Sequence, residues 1–179
     1  TSSLTPSPNG TIGAPYNHPA RAIQEVAGGG GTVVFLPGEY VTSFRVPANV
    51  DIVSYDSVDD IDYPHSSIWV NEMMALDGET IGGIVITGAT SGGVMVQGFD
   101  FTGSSRLYEA YPGADFDNLP ASVNEHITHY LRPITINASG SSGDANRITI
   151  TENTFTHFDY PLRILDSNNV WIDDNLFTG

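Results

Sequence analysis

The residue types needed to remove a proton beside a carboxylate occur together near Arg163. A lyase requires a base for the proton α to the carboxylate and a cation that stabilises the developing charge. Arg163 could hold such a carboxylate, with His157 or Tyr160 as the acid or base. The alternative is a surface ion pair between Arg163 and Asp159 beside a tight turn at Pro161, because exposed ion pairs are common and weak.

The segment 104–132 breaks the spacing of the predicted strands and is predicted to be an inserted loop. Its paired carboxylates, Asp115 and Asp117, are the groups that hydrolysis of a glycosidic bond would need. Loops on a rigid scaffold often bind ligands, and tyrosine offers a sugar an apolar face and a polar tip. The alternative is a surface loop that covers one side of the protein. The candidate substrate-binding residues of the loop are Tyr108, Tyr111, His126, His129 and Tyr130.

Two groups of side chains have metal-ligand character, and neither supports an assigned metal site. His126 and His129 could share a helical face, but no third ligand is assured. An acidic cluster before His65 has the oxygen ligands that calcium prefers, so calcium is the one cofactor that could bind. Its spacing does not follow the EF-hand loop, and a solvated acidic turn is the simpler interpretation. The cluster is Asp56, Asp59, Asp60 and Asp62.

The charge balance excludes several classes of partner. The chain of 179 residues has a formal net charge of -15, and its 6 basic residues are all arginines. Nucleic-acid binding requires clustered cations, so no nucleic-acid partner is expected. No apolar run is long enough to predict a membrane span, and the absence of cysteine excludes disulfides and thiolate sites. An acidic, lysine-free surface favours a protein from a salty environment, and an ordinary acidic secreted protein is the alternative.

Short alternating strands recur along the chain, and the last two copies are offset by 22 positions. Alternation places the apolar side chains on one face, which a single unit cannot bury but stacked units can. The repeat predicts a pile of phenylalanines that also includes Phe101, and a ladder of hydrogen-bonded asparagines at the bend. The same alternation directs Trp171 outward, where an exposed aromatic could stack on a sugar. The recurring pairs are Ile150 and Ile172, Asn153 and Asn175, and Phe155 and Phe177.

These elements predict an all-β fold, a single-stranded right-handed parallel β-helix with a short N-terminal capping helix. The helix should begin with Asn17 or His18 at its N-cap and Pro19 at its first position, and the glycine run 28–31 should end it. Residues 1–16 are interpreted as a linker or mature N-terminal segment, and residues 17–179 as the β-helix domain. No cap follows the last repeat, so the domain is expected to be truncated at its C-terminal end.

The segment 27–41, AGGGGTVVFLPGEYV, resembles the opening of the pectate-lyase-like superfamily, in which a capping helix precedes GGGTV-(Y/F)-(L/F)-P-x-G-x-Y. The Asn-x-Phe repeats look like the same superfamily, and together these stretches cover about half of the chain. The superfamily includes pectate and alginate lyases, polygalacturonases, mannuronan epimerases and phage tailspikes. The usual D-G-x-x-D-D before the helix is absent, as are the aspartate pairs and G-H-G of polygalacturonases. The resemblance therefore implies a fold more than a reaction.

The combined expectation is a secreted, carbohydrate-active β-helix protein, extracellular or at the cell surface, that acts on an acidic polysaccharide as a lyase or glycoside hydrolase. The alternative is a non-catalytic surface, adhesion or spike module that binds glycan. The charge of -15 opposes a polyanionic substrate unless salt or calcium screens the repulsion. The expected partner is a polysaccharide or glycan, and the oligomeric state is left open.

Overall fold

The computed structural model describes residues 9–55, 66–70, 72–74, 80–87, 92–102, 133–138, 146–156, 158 and 161–178. Over these residues the chain forms one helix, α1 (Pro19–Val26), and a series of short strands. The strands are β1 (Gly31–Phe35), β2 (Glu39–Thr42), β3 (Phe44–Val46), β4 (Val50–Ser54), β5 (Ser66–Val70), β6 (Glu72–Met74), β7 (Thr80–Gly82), β8 (Ile84–Thr87), β9 (Val94–Gln97), β10 (Phe99–Thr102), β11 (Ile134–Asn137), β12 (Ile148–Thr151), β13 (Thr154–Thr156), β14 (Leu162–Leu165), β15 (Val170–Asp173) and β16 (Leu176–Thr178).

Most of these strands form three parallel sheets, which the chain visits in turn. The first sheet has the order β1-β4-β9-β12-β15, the second β2-β5-β10-β13-β16, and the third β3-β8-β11-β14. We call one passage through the three sheets a round. A hairpin of β6 and β7, which pair antiparallel, lies between β5 and β8 in the sequence. The prediction of an all-β fold with one short helix agrees with this arrangement, which is compatible with a parallel solenoid.

Between the last two rounds, the register in the first and second sheets follows the predicted offset of 22 residues. Ile150 pairs with Ile172 in the first sheet, and Phe155 pairs with Phe177 in the second. The alternate, inward-facing side chains of β8, β9, β11 and β12 are buried, which places one continuous core between the sheets. Because side chains alternate along a strand, the intervening residues of the same strands face outward.

The predicted pile of phenylalanines is present in the second sheet. The ring centroids of Phe101 and Phe155 lie 5.0 Å apart with an interplanar angle of 7°. Phe155 and Phe177 repeat this geometry at 5.0 Å and 8°. The spacing matches the distance of roughly 4.8 Å between neighbouring strands, so the parallel register itself brings the rings face to face.

The predicted asparagine ladder is also present, at the corner between the first and second sheets. The buried Asn153 side chain donates through Nδ2 to Oδ1 of Asn175, at 3.0 Å, and to the carbonyl oxygen of Val96, at 3.0 Å. Its Oδ1 accepts the backbone N–H of Phe99, also at 3.0 Å. The amide therefore satisfies backbone groups that the turn leaves without sheet partners, which is what a buried corner requires.

Helix α1 covers the first round. His18 is its N-cap, and its Nδ1 accepts the backbone N–H of Ala20 at 3.2 Å. Ile23 is buried in the core, and the helix packs on β1 and β3. Gly30 ends the helical segment with its N–H on the carbonyl oxygen of Val26 (2.8 Å) and a φ of 78°, where glycine is favoured. The predicted short helix is present, with its start at His18 and Pro19 and its end before the glycine run, as expected.

The last round differs from the first, because its inward-facing side chains are partly open. Ile164, Ile172 and Phe177 are 44%, 43% and 48% exposed, respectively. Their partners one round earlier, Ile136 and Ile150 among them, are fully buried. In the described part of the chain, the apolar core is thus covered at the helix end and open at the other.

Candidate functional site

Two of the predicted site residues lie on described strands, and they lie in different sheets. Arg163 is on β14 in the third sheet, paired with Thr135, and both side chains are partly exposed, as the alternation predicts. Trp171 is on β15 in the first sheet, paired with the outward-facing Thr149, and is 51% exposed. Arg163 and Trp171 therefore belong to separate outer faces of the protein.

The other predicted site residues lie outside the described residues. They are the acid or base candidates His157 and Tyr160, the carboxylates Asp115 and Asp117, and the loop residues Tyr108, Tyr111, His126, His129 and Tyr130. The acidic cluster Asp56, Asp59, Asp60 and Asp62, with His65, lies outside them as well. Within the described part of the chain, no three His, Cys, Asp or Glu side chains are grouped closely enough to hold a metal ion.

Arg147, which the sequence analysis did not single out, lies against Trp171. The guanidinium carbon of Arg147 is 4.1 Å from the centroid of the Trp171 ring. This contact could have been predicted from the sequence repeat. Aligning the repeats pairs Thr149 with Trp171, and Arg147 lies two residues before Thr149 on the same outer face. Diagonal neighbours of this kind are within reach of long and aromatic side chains. A cation over an indole face is attracted by the quadrupole of the ring.

Asp51 contributes a carboxylate to the same outer face. It lies on β4, and its Oδ1 accepts the backbone N–H of Met95 on β9 at 2.8 Å. Burial raises the pKa of Asp51 above its ordinary value of 3.8, and the hydrogen bond from Met95 lowers it by less. Desolvation disfavours the charged form of a carboxyl group, which explains the direction of the shift. Asp51 is thus easier to protonate than a fully solvated aspartate.

An open groove of about 430 Å³ joins these residues on the outer face of the first sheet. We call it the first-sheet groove. The side chains of Asn49, Asp51, Arg147 and Thr149 line it, together with the backbone around Gly93. Asp51 and Trp171 are three strands apart, a distance of about 14 Å at the usual strand spacing. The groove and the exposed ring therefore form an elongated surface that crosses four strands.

Backbone geometry at the rim of the groove depends on Gly92. A Cβ at this position would lie 1.2 Å from Oδ1 of Asn49, and the φ of Gly92 is 142°. The N–H of Gly92 donates to Oδ1 of Asn146 at 2.8 Å. No side chain larger than hydrogen fits here without displacing Asn49. The glycine therefore leaves room for this polar side chain beside the groove.

The first-sheet groove combines a cation, a carboxylate of raised pKa and two neutral polar side chains, and the Trp171 ring lies beside Arg147 outside its lining. An aromatic face and polar tips suit a sugar ring, and a guanidinium binds a carboxylate with geometric specificity. A carboxyl group whose pKa is moved toward neutrality can exchange a proton with a bound ligand. The groove is open along its length, which suits an extended ligand better than a small enclosed one.

Among the described residues, no helix is long and apolar enough to cross a bilayer. The sequence matches no protein-family model, and neither the curated proteins nor the solved structures yield a match to this chain.

Proposed function

We propose that the chain is a single-stranded right-handed parallel β-helix of the pectate-lyase-like kind, and that it acts on an acidic polysaccharide outside the cell. Three parallel sheets visited in rotation support the fold, since parallel crossovers are overwhelmingly right-handed. The sequence resemblance of segment 27–41 supports the superfamily. Secretion and a salty environment are consistent with the charge of -15 and the absence of lysine and cysteine.

The observation that carries the function is the Arg147–Trp171 pair at the end of the first-sheet groove. A sugar acid has an apolar ring face and a carboxylate, and the pair offers a partner for each. A fixed arginine also compensates locally for the overall negative charge of the protein, which otherwise opposes a polyanion. The groove extends from this pair toward Asp51, and an extended polysaccharide could lie along it.

Two reactions fit this proposal, β-elimination and hydrolysis. In elimination, a base removes the proton α to the substrate carboxylate, and Arg163 with His157 or Tyr160 is the set predicted from the sequence. Arg163 lies on the outer face of the third sheet, so this set would act outside the first-sheet groove. In hydrolysis, Asp115 and Asp117 are the proposed pair of carboxylates. Asp51 is a further candidate acid in either reaction, because it lines the groove and its pKa is raised.

A non-catalytic module that binds glycan is the second candidate function. The specific observation in its favour is the threonine content of the outward rows, with Thr149 and Thr151 on β12 and Thr154 and Thr156 on β13. Hydroxyl groups bind sugars but do not by themselves supply an acid or base at neutral pH. In such a module the Arg147–Trp171 pair would bind glycan without turnover.

The test is an activity and binding screen with the wild type, Arg147→Ala and Trp171→Ala, using pectate, alginate and neutral glycans at high and low salt. The matched control is Arg21→Ala, which removes an exposed arginine of α1 that does not line the groove. Unsaturated ends that form with the wild type and the control, but not with Arg147→Ala, would support a lyase. New reducing ends alone would support hydrolysis.

Three further outcomes distinguish the remaining interpretations. Binding without turnover, lost in both groove variants and kept in Arg21→Ala, would support the glycan-binding module. If the groove variants retain full binding and activity, the first-sheet groove is not the site. If no glycan binds or reacts at any salt concentration, the proposed function is wrong for this chain.

A further inference from the structure

A second cavity, of about 550 Å³, lies at the opposite end of the molecule from the open round, beside α1. Helix α1 packs on β1 and β3, and the cavity lies over the corner where β1 leads into β2. Phe35, Leu36 and Tyr40 form its inner wall. Cavities of this size that are lined mainly by apolar and aromatic side chains are the usual form of small-molecule sites. We call it the cap pocket.

The aromatic wall of the cap pocket is held in a defined position. The hydroxyl of Tyr40 donates to the carbonyl oxygen of Leu36 at 2.7 Å, and its ring meets Phe35 edge to face at 5.2 Å and 74°. Because the Tyr40 hydroxyl is already hydrogen-bonded to Leu36, the part of Tyr40 that remains to interact with a ligand is its aromatic ring. Tyr16 and Tyr55 add two further phenol rings to the lining.

A tight turn of the N-terminal segment forms the outer wall of the cap pocket. The N–H groups of Asn9 and Gly10 donate to the carbonyl oxygen of Ala14, at 2.9 and 3.1 Å. Gly10 has a φ of 79°, and a Cβ there would lie 2.6 Å from Cε2 of Tyr16. Only glycine allows this contact between the turn and the tyrosine ring. Residues 9–16 thus hold Tyr16 in the wall of the pocket.

The charge around the cap pocket disfavours an anion. Glu25 supplies a carboxylate to the lining, whereas none of the described residues that line the pocket is an arginine or lysine. Glu25 also pairs with Arg21 at 2.8 Å, but both side chains are largely exposed, so solvent screens this pair. The net charge of -15 adds a long-range preference for cations.

We propose that the cap pocket binds a compact organic cation with a quaternary ammonium group. Such a group is attracted to the faces of tyrosine rings, and here three tyrosines and a carboxylate line one cavity. It carries no N–H, so it needs no hydrogen-bond acceptors, which an apolar wall does not supply. A primary ammonium would need several acceptors in the right geometry to replace its hydration. This site is separate from the first-sheet groove and extends beyond the proposed function.

The test measures binding of choline and of 3,3-dimethylbutan-1-ol, a neutral analogue in which carbon replaces the nitrogen, by calorimetry or NMR. We expect choline to bind saturably and the neutral analogue to bind roughly tenfold more weakly or not at all, since only the cation interacts with the ring quadrupoles. Equal affinity for the two compounds would show an apolar pocket and overturn the inference. The absence of choline binding would overturn it as well.

Variants connect this binding to the cap pocket. Tyr16→Leu should weaken choline binding roughly fivefold to tenfold, whereas Tyr16→Phe, which keeps the π-face, should change it little. Glu25→Gln, at an exposed position that leaves the core intact, should weaken it roughly twofold to fivefold. Trp171→Leu is the matched aromatic control and should have no effect. Choline binding that responds to Trp171→Leu, or to neither pocket variant, would place the cation elsewhere and overturn the inference.

The same variants keep this inference distinct from the proposed function. Tyr16→Leu and Glu25→Gln should bind or process glycan as the wild type does, because the cap pocket and the first-sheet groove have no lining residue in common. Failure of choline binding with intact glycan binding would reject the cap-pocket inference alone. The opposite result would reject the proposed function alone.

Discussion

The inner and outer rows of the same strands follow different rules. On the inner rows, Phe155 and Asn153 meet equivalents of themselves in the next round. On the outer row of the first sheet, consecutive strands carry unlike residues, such as Asp51, Thr149 and Trp171. Side chains alternate between the two faces of a strand, so neighbouring residues, about 3.3 Å apart along the strand, make different contacts. The inner rows stabilise the fold, and the outer rows are available for binding.

The largest expected effect comes from removing one ring from the stack of inward-facing phenylalanines. Phe155→Ala should lower the free energy of unfolding by about 3–5 kcal/mol, the usual loss for a fully buried phenylalanine. Phe177→Ala removes the same side chain one round later, where it is 48% exposed, and should cost about half as much. Urea denaturation of both variants checks the difference. Equal losses would mean that the open round is covered in solution.

The asparagine ladder should give the next largest effect. Asn153→Ala leaves the buried N–H of Phe99 and the carbonyl oxygen of Val96 without their side-chain partner. We expect a loss of about 2–3 kcal/mol, since unsatisfied buried groups retain their desolvation cost. Asn153→Asp keeps an oxygen for Phe99 but no N–H for Val96. A thermal-denaturation series in which both variants match the wild type would show that the ladder does not stabilise the corner.

Outer-row changes should affect binding rather than stability. Trp171→Ala removes a half-exposed ring and its contact with Arg147, so we expect it to lower the free energy of unfolding by about 1 kcal/mol or less. In the same variant, the affinity for glycan should fall roughly tenfold or more. Denaturation and glycan titration on one preparation measure both quantities. A large stability loss with unchanged binding would reverse the assignment of inner and outer rows.

The smallest expected effect is a pH dependence from Asp51. Its pKa is raised by burial above 3.8, so the folded state binds the proton more tightly than the unfolded state does. Its contribution to stability is therefore present at low pH and declines as the pH rises from 3.8 through the raised pKa. Asp51→Asn lacks this decline while its Oδ1 can still accept from Met95. Its stability relative to the wild type should rise across that pH window in urea titrations, and parallel curves would contradict this.

Most of the inner architecture could be predicted from the sequence, because the constraint there is periodic. The spacing of Ile150, Asn153 and Phe155 predicts a strand, a corner and a second strand. In the structure each of the three lies next to its counterpart 22 residues later. The capping helix was predictable for a local reason, since the His18–Pro19 start and the glycine run are sequence signals of helix ends.

The first-sheet groove was less predictable, because it depends on contacts between residues that no repeat or periodicity relates. The outward direction of Trp171 follows from alternation, but its partner Arg147 becomes apparent only once Thr149 is aligned with Trp171. The role of Asp51 depends on the N–H of Met95, more than forty positions later in the sequence. The cap pocket requires the turn of residues 9–16 to lie against α1 and β1, which no periodicity encodes.

The unequal connections between the third and first sheets have a practical consequence. Residues 138–147 join β11 to β12, whereas residues 166–169 make the equivalent connection from β14 to β15, and the strands they join remain in register. A difference in connection length is therefore absorbed without a shift of the core, as loop-closure entropy grows only slowly with length. Lengthening the connection between β11 and β12, for example to carry a fluorophore or an affinity tag, should accordingly leave the register of these strands unchanged.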